Sequence, residues 1–228
     1  MAGLKLRISE DGLHREVLSN GELPPLFFEI TPRDGASPPA FDGGDFALIA
    51  MLPIAMYQMV DLHAEFELDS TLLDGLDHYQ EVWHSWRPDI YKKKIQITSD
   101  SESSRANVSQ ETKRALVAFS AGIDSTFTLS RHAHKEAGRA IRDVATAVMV
   151  HGFDMPLDSA DGFETMARHG TTICRDLGVD LVTVKTNWRS LVTNWEMTFG
   201  AGLASVLHQF SHRHDIALIA TEESYQNC

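Results

Sequence analysis

The chain has 228 residues, of which 43% are hydrophobic, so it can bury the core of one large domain or of two small ones. Its 20 Lys and Arg residues stand against 32 Asp and Glu residues, which gives a net charge of −12 at pH 7. A surface this acidic repels phosphate backbones and disfavours RNA or DNA as the main partner. Two cysteines, Cys174 and Cys228, make no disulfide framework and indicate a reduced, intracellular protein.

The sequence predicts a cytoplasmic protein without a membrane span. The N-terminal residues lack the apolar core of a secretory signal. The uncharged apolar run from Phe46 to Val60 contains Pro53 and is too short to cross a bilayer comfortably. It is better interpreted as a buried helix, for which Asp45 is a candidate N-cap.

Residues 1–98 are predicted to form a small α+β domain of their own, to which we assign no chemistry. Strands are expected at 4–8, 13–18, 26–30, 62–68 and 91–98, and residues 31–44 form a polar loop rich in Pro and Gly. A second helix, ended by Pro88, repeats apolar residues at helical spacing. These residues predict its buried face: Leu72, Leu76, Tyr79, Trp83 and Trp86.

Residues 99–112 are polar and predict an interdomain linker, and residues 113–228 then alternate strands with helices. Strands are expected at 115–119, 144–150, 181–186 and 216–221. The spacing of apolar residues predicts the buried faces of the three helices in this region. They are expected at Leu129, Ala133, Ala137 and Ile141, then at Phe163, Met166, Ala167, Gly170, Ile173, Cys174 and Leu177, and finally at Trp195, Phe199, Gly202, Leu203, Val206 and Phe210. This alternation predicts right-handed crossovers and a parallel sheet, an α/β fold.

The residues Ser120-Ala121-Gly122-Ile123-Asp124-Ser125 interrupt the first of these strands and open the helix that follows. Such a loop directs several backbone N–H groups and the positive end of the helix dipole at one place, which suits a phosphate. The hydroxyls of Ser120, Ser125 and Thr126 add donors. An ordinary turn rich in small residues is the alternative.

Ligands of parallel sheets bind beyond the carboxyl ends of the strands. The other strand ends offer His151 to Asp154, Lys185 to Trp188, and Thr221 to Ser224. His208 and His212 have the spacing of a helical metal pair, with His214 nearby, but no acidic third ligand has a matching spacing. A solvated helix end explains these histidines better.

The six-residue loop resembles the PP-loop, S-G-G-x-D-S, of the N-type ATP pyrophosphatases, with Ala121 in place of a glycine. These enzymes cleave ATP between its α and β phosphates. The run A-F-S-A-G-I-D-S followed by V-H-G-F-D looks most like the 7-cyano-7-deazaguanine synthase-like branch, whose members adenylate a carboxylate and then aminate it. The resemblance covers roughly residues 115–225.

The resemblance implies a PP-loop (adenine nucleotide alpha hydrolase-like) fold for residues 113–228 and assigns its site residues. Ser120, Asp124 and Ser125 are the implied catalytic residues, and Asp124 is the implied Mg²⁺ ligand. The implied ATP-binding residues are Ser120, Ala121, Gly122, Ile123, Asp124, Ser125 and Thr126 for the phosphates, and His151, Gly152, Phe153, Asp154 and Thr221 for the nucleoside, with Glu222 beside Thr221 by position.

The function implied is ATP-dependent adenylation of a small carboxylate substrate for attack by an amine or ammonia, with release of AMP and pyrophosphate. Alternatives are an asparagine-synthetase-like or tRNA-modifying PP-loop ligase, and a non-catalytic nucleotide-binding or assembly subunit. The branch binds zinc through four cysteines, so zinc here would require a cysteine-rich continuation. Because the chain stops after its fourth expected strand, we expect an incomplete C-terminal sheet edge that self-association or a partner covers.

Overall fold

The computed structural model describes residues 3–21, 23–41, 43–104 and 114–220. In chain order its elements are β1 (Leu4–Asp11), β2 (His14–Ser19), β3 (Leu26–Pro32), α1 (Asp45–Gln58), β4 (Leu62–Asp69), α2 (Ser70–Trp86), β5 (Ile97–Ser103), β6 (Arg114–Ala118), α3 (Ile123–Ala133), a 3-10 turn (Gly138–Ala140), β7 (Val144–His151), α4 (Ala160–Asp176), β8 (Asp180–Thr186), α5 (Trp188–Leu191), α6 (Trp195–His208) and β9 (His214–Leu218). Most strand pairs are parallel, which confirms the α/β class. No helix of the described ranges is long and apolar enough to cross a membrane.

The chain forms two compact units, and each draws on separate stretches of sequence. Unit 1 comprises the described residues of Met1–Phe28, Phe41–Glu111 and Asn187–Gln209. Unit 2 comprises those of Glu29–Ala40, Thr112–Thr186 and Phe210–Cys228. Most of the predicted N-terminal domain therefore falls in unit 1 and most of the predicted ATP-binding domain in unit 2. Two segments are exchanged: Glu29–Ala40 belongs to unit 2 and Asn187–Gln209 to unit 1.

In unit 1 the strands lie in the order β5-β4-β1-β2, and α1 packs against β4, β1, α2 and α6. Its residues from Asp45 to Met56 are all buried, which confirms the prediction of a buried helix. The predicted cap is wrong, because Gly44 is the N-cap and Asp45 is the first helical residue. The Oδ1 atom of Asp45 instead accepts a hydrogen bond from the backbone N–H of Asp69.

The predicted buried face of α2 is only partly correct. Leu76 is buried, whereas the Trp86 side chain is 70% exposed. The aromatic side chains of α2 pack largely on one another, and the ring centroids of Trp83 and Trp86 are 5.9 Å apart. Trp83 also packs on Tyr91, at 5.7 Å between ring centroids.

The strand predicted at residues 91–98 starts later, at Ile97, and continues to Ser103 inside the predicted linker. Pairing with β4 explains this, because the register runs from Leu62 opposite Ile97 to Asp69 opposite Ser103. Backbone pairing with a neighbouring strand stabilises a segment whose side chains are too polar to indicate a strand.

Unit 2 contains the parallel strand order β8-β7-β6-β9. Its apolar core joins β6, β7 and β8 to one face of α4, where Phe163, Ala167, Gly170 and Cys174 are buried as predicted. The helix after the loop is shorter than predicted. It ends at Ala133, and Lys135 has a φ of 61°, so Ala137 and Ile141 lie outside α3.

The third predicted helix corresponds to α6, which belongs to unit 1. Phe199 was assigned to its buried face and is 51% exposed, and Phe210 is buried but lies beyond the helix end. The short helix α5 was not predicted. Its Trp188 is fully buried and donates from Nε1 to the carbonyl of Ala50 at 2.8 Å.

Candidate functional site

The loop after β6 lies where the strand order of unit 2 reverses. Along the chain β6, β7 and β8 add in one direction, whereas β9 pairs with the opposite edge of β6. In open parallel sheets this reversal opens a crevice at the carboxyl ends of the strands, and ligands bind there. The topology therefore selects Ser120 to Ser125 independently of any sequence motif.

The strand register brings the predicted site segments to the same edge. Ala118 of β6 lies opposite Val148 of β7, and His151 at the end of β7 lies opposite Lys185 of β8. The segments 120–126 and 151–154 thus both leave the sheet at its carboxyl edge, from adjacent strands. Thr221 and Glu222 lie outside the described residues.

Two serine hydroxyls organise the loop from inside. The Ser125 side chain is buried, and its Oγ accepts the backbone N–H of Ser120 at 3.2 Å and lies 3.1 Å from Ser120 Oγ. Ser125 Oγ also donates to the carbonyl of Gly122 at 3.2 Å, while the N–H of Gly122 points at Ser120 Oγ at 3.3 Å. The hydroxyls therefore hold the loop closed on itself around Gly122.

The first turn of α3 presents backbone donors beside these hydroxyls. Its first intrahelical bond runs from Thr126 N–H to the carbonyl of Gly122 at 3.0 Å. The N–H groups of Ile123, Asp124 and Ser125 precede it and so have no acceptor within the helix. Gly122 and the side chains of Ile123 and Asp124 are exposed. This end of α3 can approach an anion from solvent.

The substitution of Ala121 for the motif's glycine falls on a left-handed backbone. Ala121 has a φ of 59°, whereas Gly122 has a φ of −78° that any residue adopts. An alanine in this conformation costs about 1–2 kcal/mol. A Cβ added to Gly122 would meet only Ser120 Oγ, at 3.2 Å. The backbone conformation of Gly122 therefore does not require a glycine, and the missing side chain leaves space in front of the loop.

Most of the segment 151–154 is buried. His151 is buried, its ring stacks on Phe163 with centroids 4.3 Å apart, and its Nε2 lies 3.1 Å from the carbonyl of Pro156. Phe153 is also buried. Of the four residues in this segment, only Asp154 has an exposed side chain. Sequence reasoning assigned nothing to Pro156, although a proline after a strand end is a turn signal.

Gly152 is a position where glycine is structurally required. Its φ is 106°, and an added Cβ would lie 1.9 Å from the carbonyl oxygen of Thr186. The ends of β7 and β8 therefore touch through backbone at this point.

The three C-terminal histidines do not share one site. His208 Nε2 lies 3.5 Å from Asp45 Oδ2 in unit 1. In unit 2, His214 Nδ1 and Nε2 contact the Phe210 carbonyl and Thr146 Oγ1, each at 3.1 Å. In the described part of the chain, no group of three or more His, Cys, Asp or Glu side chains is arranged to hold a metal ion.

Cys174 is buried in the core of unit 2, and the loss of hydration raises the pKa of its thiol to about 12. A thiol in this environment stays protonated, whereas zinc binds the thiolate. Cys174 is therefore unsuited to ligate zinc. Cys228 lies outside the described residues.

Comparison with known proteins returns no match to this chain, whether with protein-family models, with curated proteins or with solved structures. The function of the chain must therefore be inferred from its own residues and their geometry.

Proposed function

We propose that the chain binds ATP with its outer two phosphates in the loop from Ser120 to Ser125 and activates a substrate by adenylation. The observation that carries this proposal is the loop itself. Paired serine hydroxyls and first-turn N–H groups without an acceptor in their own helix occur together at the point where a parallel sheet reverses its strand order.

The proposed reaction uses position and charge and requires no side-chain nucleophile. A substrate carboxylate oxygen attacks the α-phosphorus, and the bond from this phosphorus to the bridging oxygen breaks, so pyrophosphate leaves with the electron pair. The loop N–H groups stabilise the charge that develops on pyrophosphate, and the hydroxyls of Ser120 and Ser125 hold the loop in the shape that presents these groups. An amine or ammonia then attacks the acyl carbon, which forms an amide and releases AMP.

Asp124 fits the role of a Mg²⁺ ligand. Its carboxylate is exposed in the first turn of α3, next to the proposed phosphate position. Mg²⁺ at nucleotide sites takes one or two carboxylates together with phosphate oxygens and waters, so a larger protein cluster is not needed. When bound, the ion would supply positive charge to the phosphates. Zinc does not fit the described residues, because Cys174 is buried and protonated.

Two other functions remain as alternatives. A PP-loop amide ligase of the asparagine-synthetase type would share the loop and the first step, and the net charge of −12 makes a tRNA-modifying ligase the weaker variant. A nucleotide-binding or assembly subunit without catalysis is favoured by one observation, the left-handed Ala121.

Product analysis tests the reaction. ATP and Mg²⁺ are incubated with candidate carboxylic acids labelled with heavy oxygen, and phosphorus NMR and mass spectrometry identify the products. We expect unlabelled pyrophosphate, together with AMP that carries one labelled oxygen. ADP and orthophosphate would contradict adenylation. ATP binding without pyrophosphate release would favour the assembly subunit, and label-free AMP would exclude a carboxylate as the attacking group.

A further inference from the structure

We propose that His151 is a positioning residue for the nucleoside end of this site. In this view His151 fixes the turn from Gly152 to Pro156, and the turn meets the nucleoside while the imidazole does not. The inference rests on the proposed function, because a nucleoside is expected here only if the loop from Ser120 to Ser125 takes the phosphates.

The imidazole of His151 is already engaged by the protein. Only 5% of the residue is exposed. One ring face lies against Phe163 of α4, nearly parallel at 10°. Because a carbonyl oxygen can only accept, the 3.1 Å contact makes Nε2 the donor to Pro156. A ring buried in this way cannot also stack on a purine.

The bond to Pro156 closes a compact turn. The N–H of Gly152 donates to the carbonyl of Met155 at 2.9 Å, and the N–H of Ser159 donates to the same Pro156 carbonyl at 3.0 Å. The Gly152 backbone abuts Thr186 at the end of β8. Four contacts thus fix this turn: the bond from the imidazole, the bond between Gly152 and Met155, the bond from Ser159, and the contact of Gly152 with the end of β8.

The position of the turn relative to the phosphate loop suits one extended ligand. It follows β7, which pairs directly with β6, and paired strands are about 4.8 Å apart. Asp154 and Pro156 of the turn are exposed, whereas His151 is buried. A nucleotide held by its phosphates after β6 would therefore reach the turn before it reached the imidazole.

Two ligands separate the roles of loop and turn. Inorganic pyrophosphate can occupy only the phosphate loop, whereas ATP also brings a nucleoside. Calorimetric titration of the full chain is expected to show that His151→Phe, which keeps a ring against Phe163 but loses the donor, weakens ATP binding about three- to tenfold and leaves pyrophosphate binding unchanged. His151→Gln keeps an N–H donor and should recover part of the loss. His169→Phe, at an exposed position of α4, is the control and should change neither affinity.

The outcomes are distinguishable. Failure of the wild-type protein to bind either ligand would contradict the proposed function itself. Normal wild-type binding with an equal loss of both ligands, or no loss, in His151→Phe would overturn only the role of His151. If this variant does not fold, nitrogen-15 NMR of the wild-type histidine rings decides. The Nε2 proton of His151 should persist at ATP saturation, and its loss or transfer to Nδ1 would overturn the proposal.

Discussion

At position 121 the loop departs from the motif that it resembles, and the structure gives this difference a physical cost. Ala121 has a φ of 59°, a conformation that glycine adopts without strain. Alanine is strained at this residue because its φ is positive. The φ of a loop residue depends on how the surrounding chain closes, so the sequence alone could not decide it.

We predict that Ala121→Gly stabilises the protein slightly. Relief of the left-handed conformation, about 1–2 kcal/mol, exceeds the entropic cost of a glycine, about 0.4–1 kcal/mol. Ala204→Gly is the matched control, because Ala204 is exposed inside α6, where glycine costs about 1 kcal/mol. Urea denaturation should give free energies of unfolding that change in opposite directions. A similar loss in both variants would show that position 121 carries no strain.

At the scale of elements, strands and helices with strong apolar patterns were predictable from the sequence. Segments that become strands because they pair with a neighbouring strand were not. The segments that became β7, β8 and α4 have continuous or periodic apolar residues and appear where the sequence indicates. The second half of β5 is polar and exists through its pairing with β4. Helix α3 ends early because Lys135 adopts a left-handed conformation. A glycine would have indicated such a helix end in the sequence, but this position is a lysine.

β9 contains a histidine, His214, that should make the stability of the protein depend on pH. His214 is buried, and loss of hydration is the main cause that lowers its pKa below the ordinary value of 6.5. Its neutral ring donates to the Phe210 carbonyl and accepts from Thr146 Oγ1. Since the folded state resists protonation, the unfolded state binds more protons below pH 6.5, and stability falls as the pH decreases from this value.

Urea denaturation between pH 7.5 and 5 gives the free energy of unfolding of the wild-type protein and of His214→Gln. The difference between the two measures this effect, because most contributions of other groups cancel. We expect the advantage of the wild-type protein to shrink as the pH falls. His132 also has a pKa lowered mainly by burial, so His132→Gln serves as a second comparison. An advantage of wild type over His214→Gln that grows at acidic pH would mean that the folded state binds the proton more tightly, contrary to the prediction.

At the scale of the whole molecule, the sequence predicted the α/β class and the common edge of the site segments, because both follow from alternation of strands and helices. It did not predict that Glu29–Ala40 belongs to unit 2 and Asn187–Gln209 to unit 1. Contacts distant in sequence decide such exchanges. β9 ends the strand order of unit 2, and Ile219 just after it is exposed. The expected covering of this edge by a second copy or a partner stays a prediction.

The most direct test of the phosphate site is calorimetric titration of ATP into the wild-type protein, Ser125→Ala and Ser130→Ala. Ser125→Ala removes the hydroxyl that bonds the N–H and Oγ of Ser120, whereas Ser130 lies farther along α3, where its Oγ contacts His134. We predict that ATP binds the wild-type protein, that Ser125→Ala weakens binding about tenfold or more, and that Ser130→Ala leaves it unchanged. A folded wild-type protein that does not bind ATP, or a Ser125→Ala variant with wild-type affinity, would contradict the assignment of this loop.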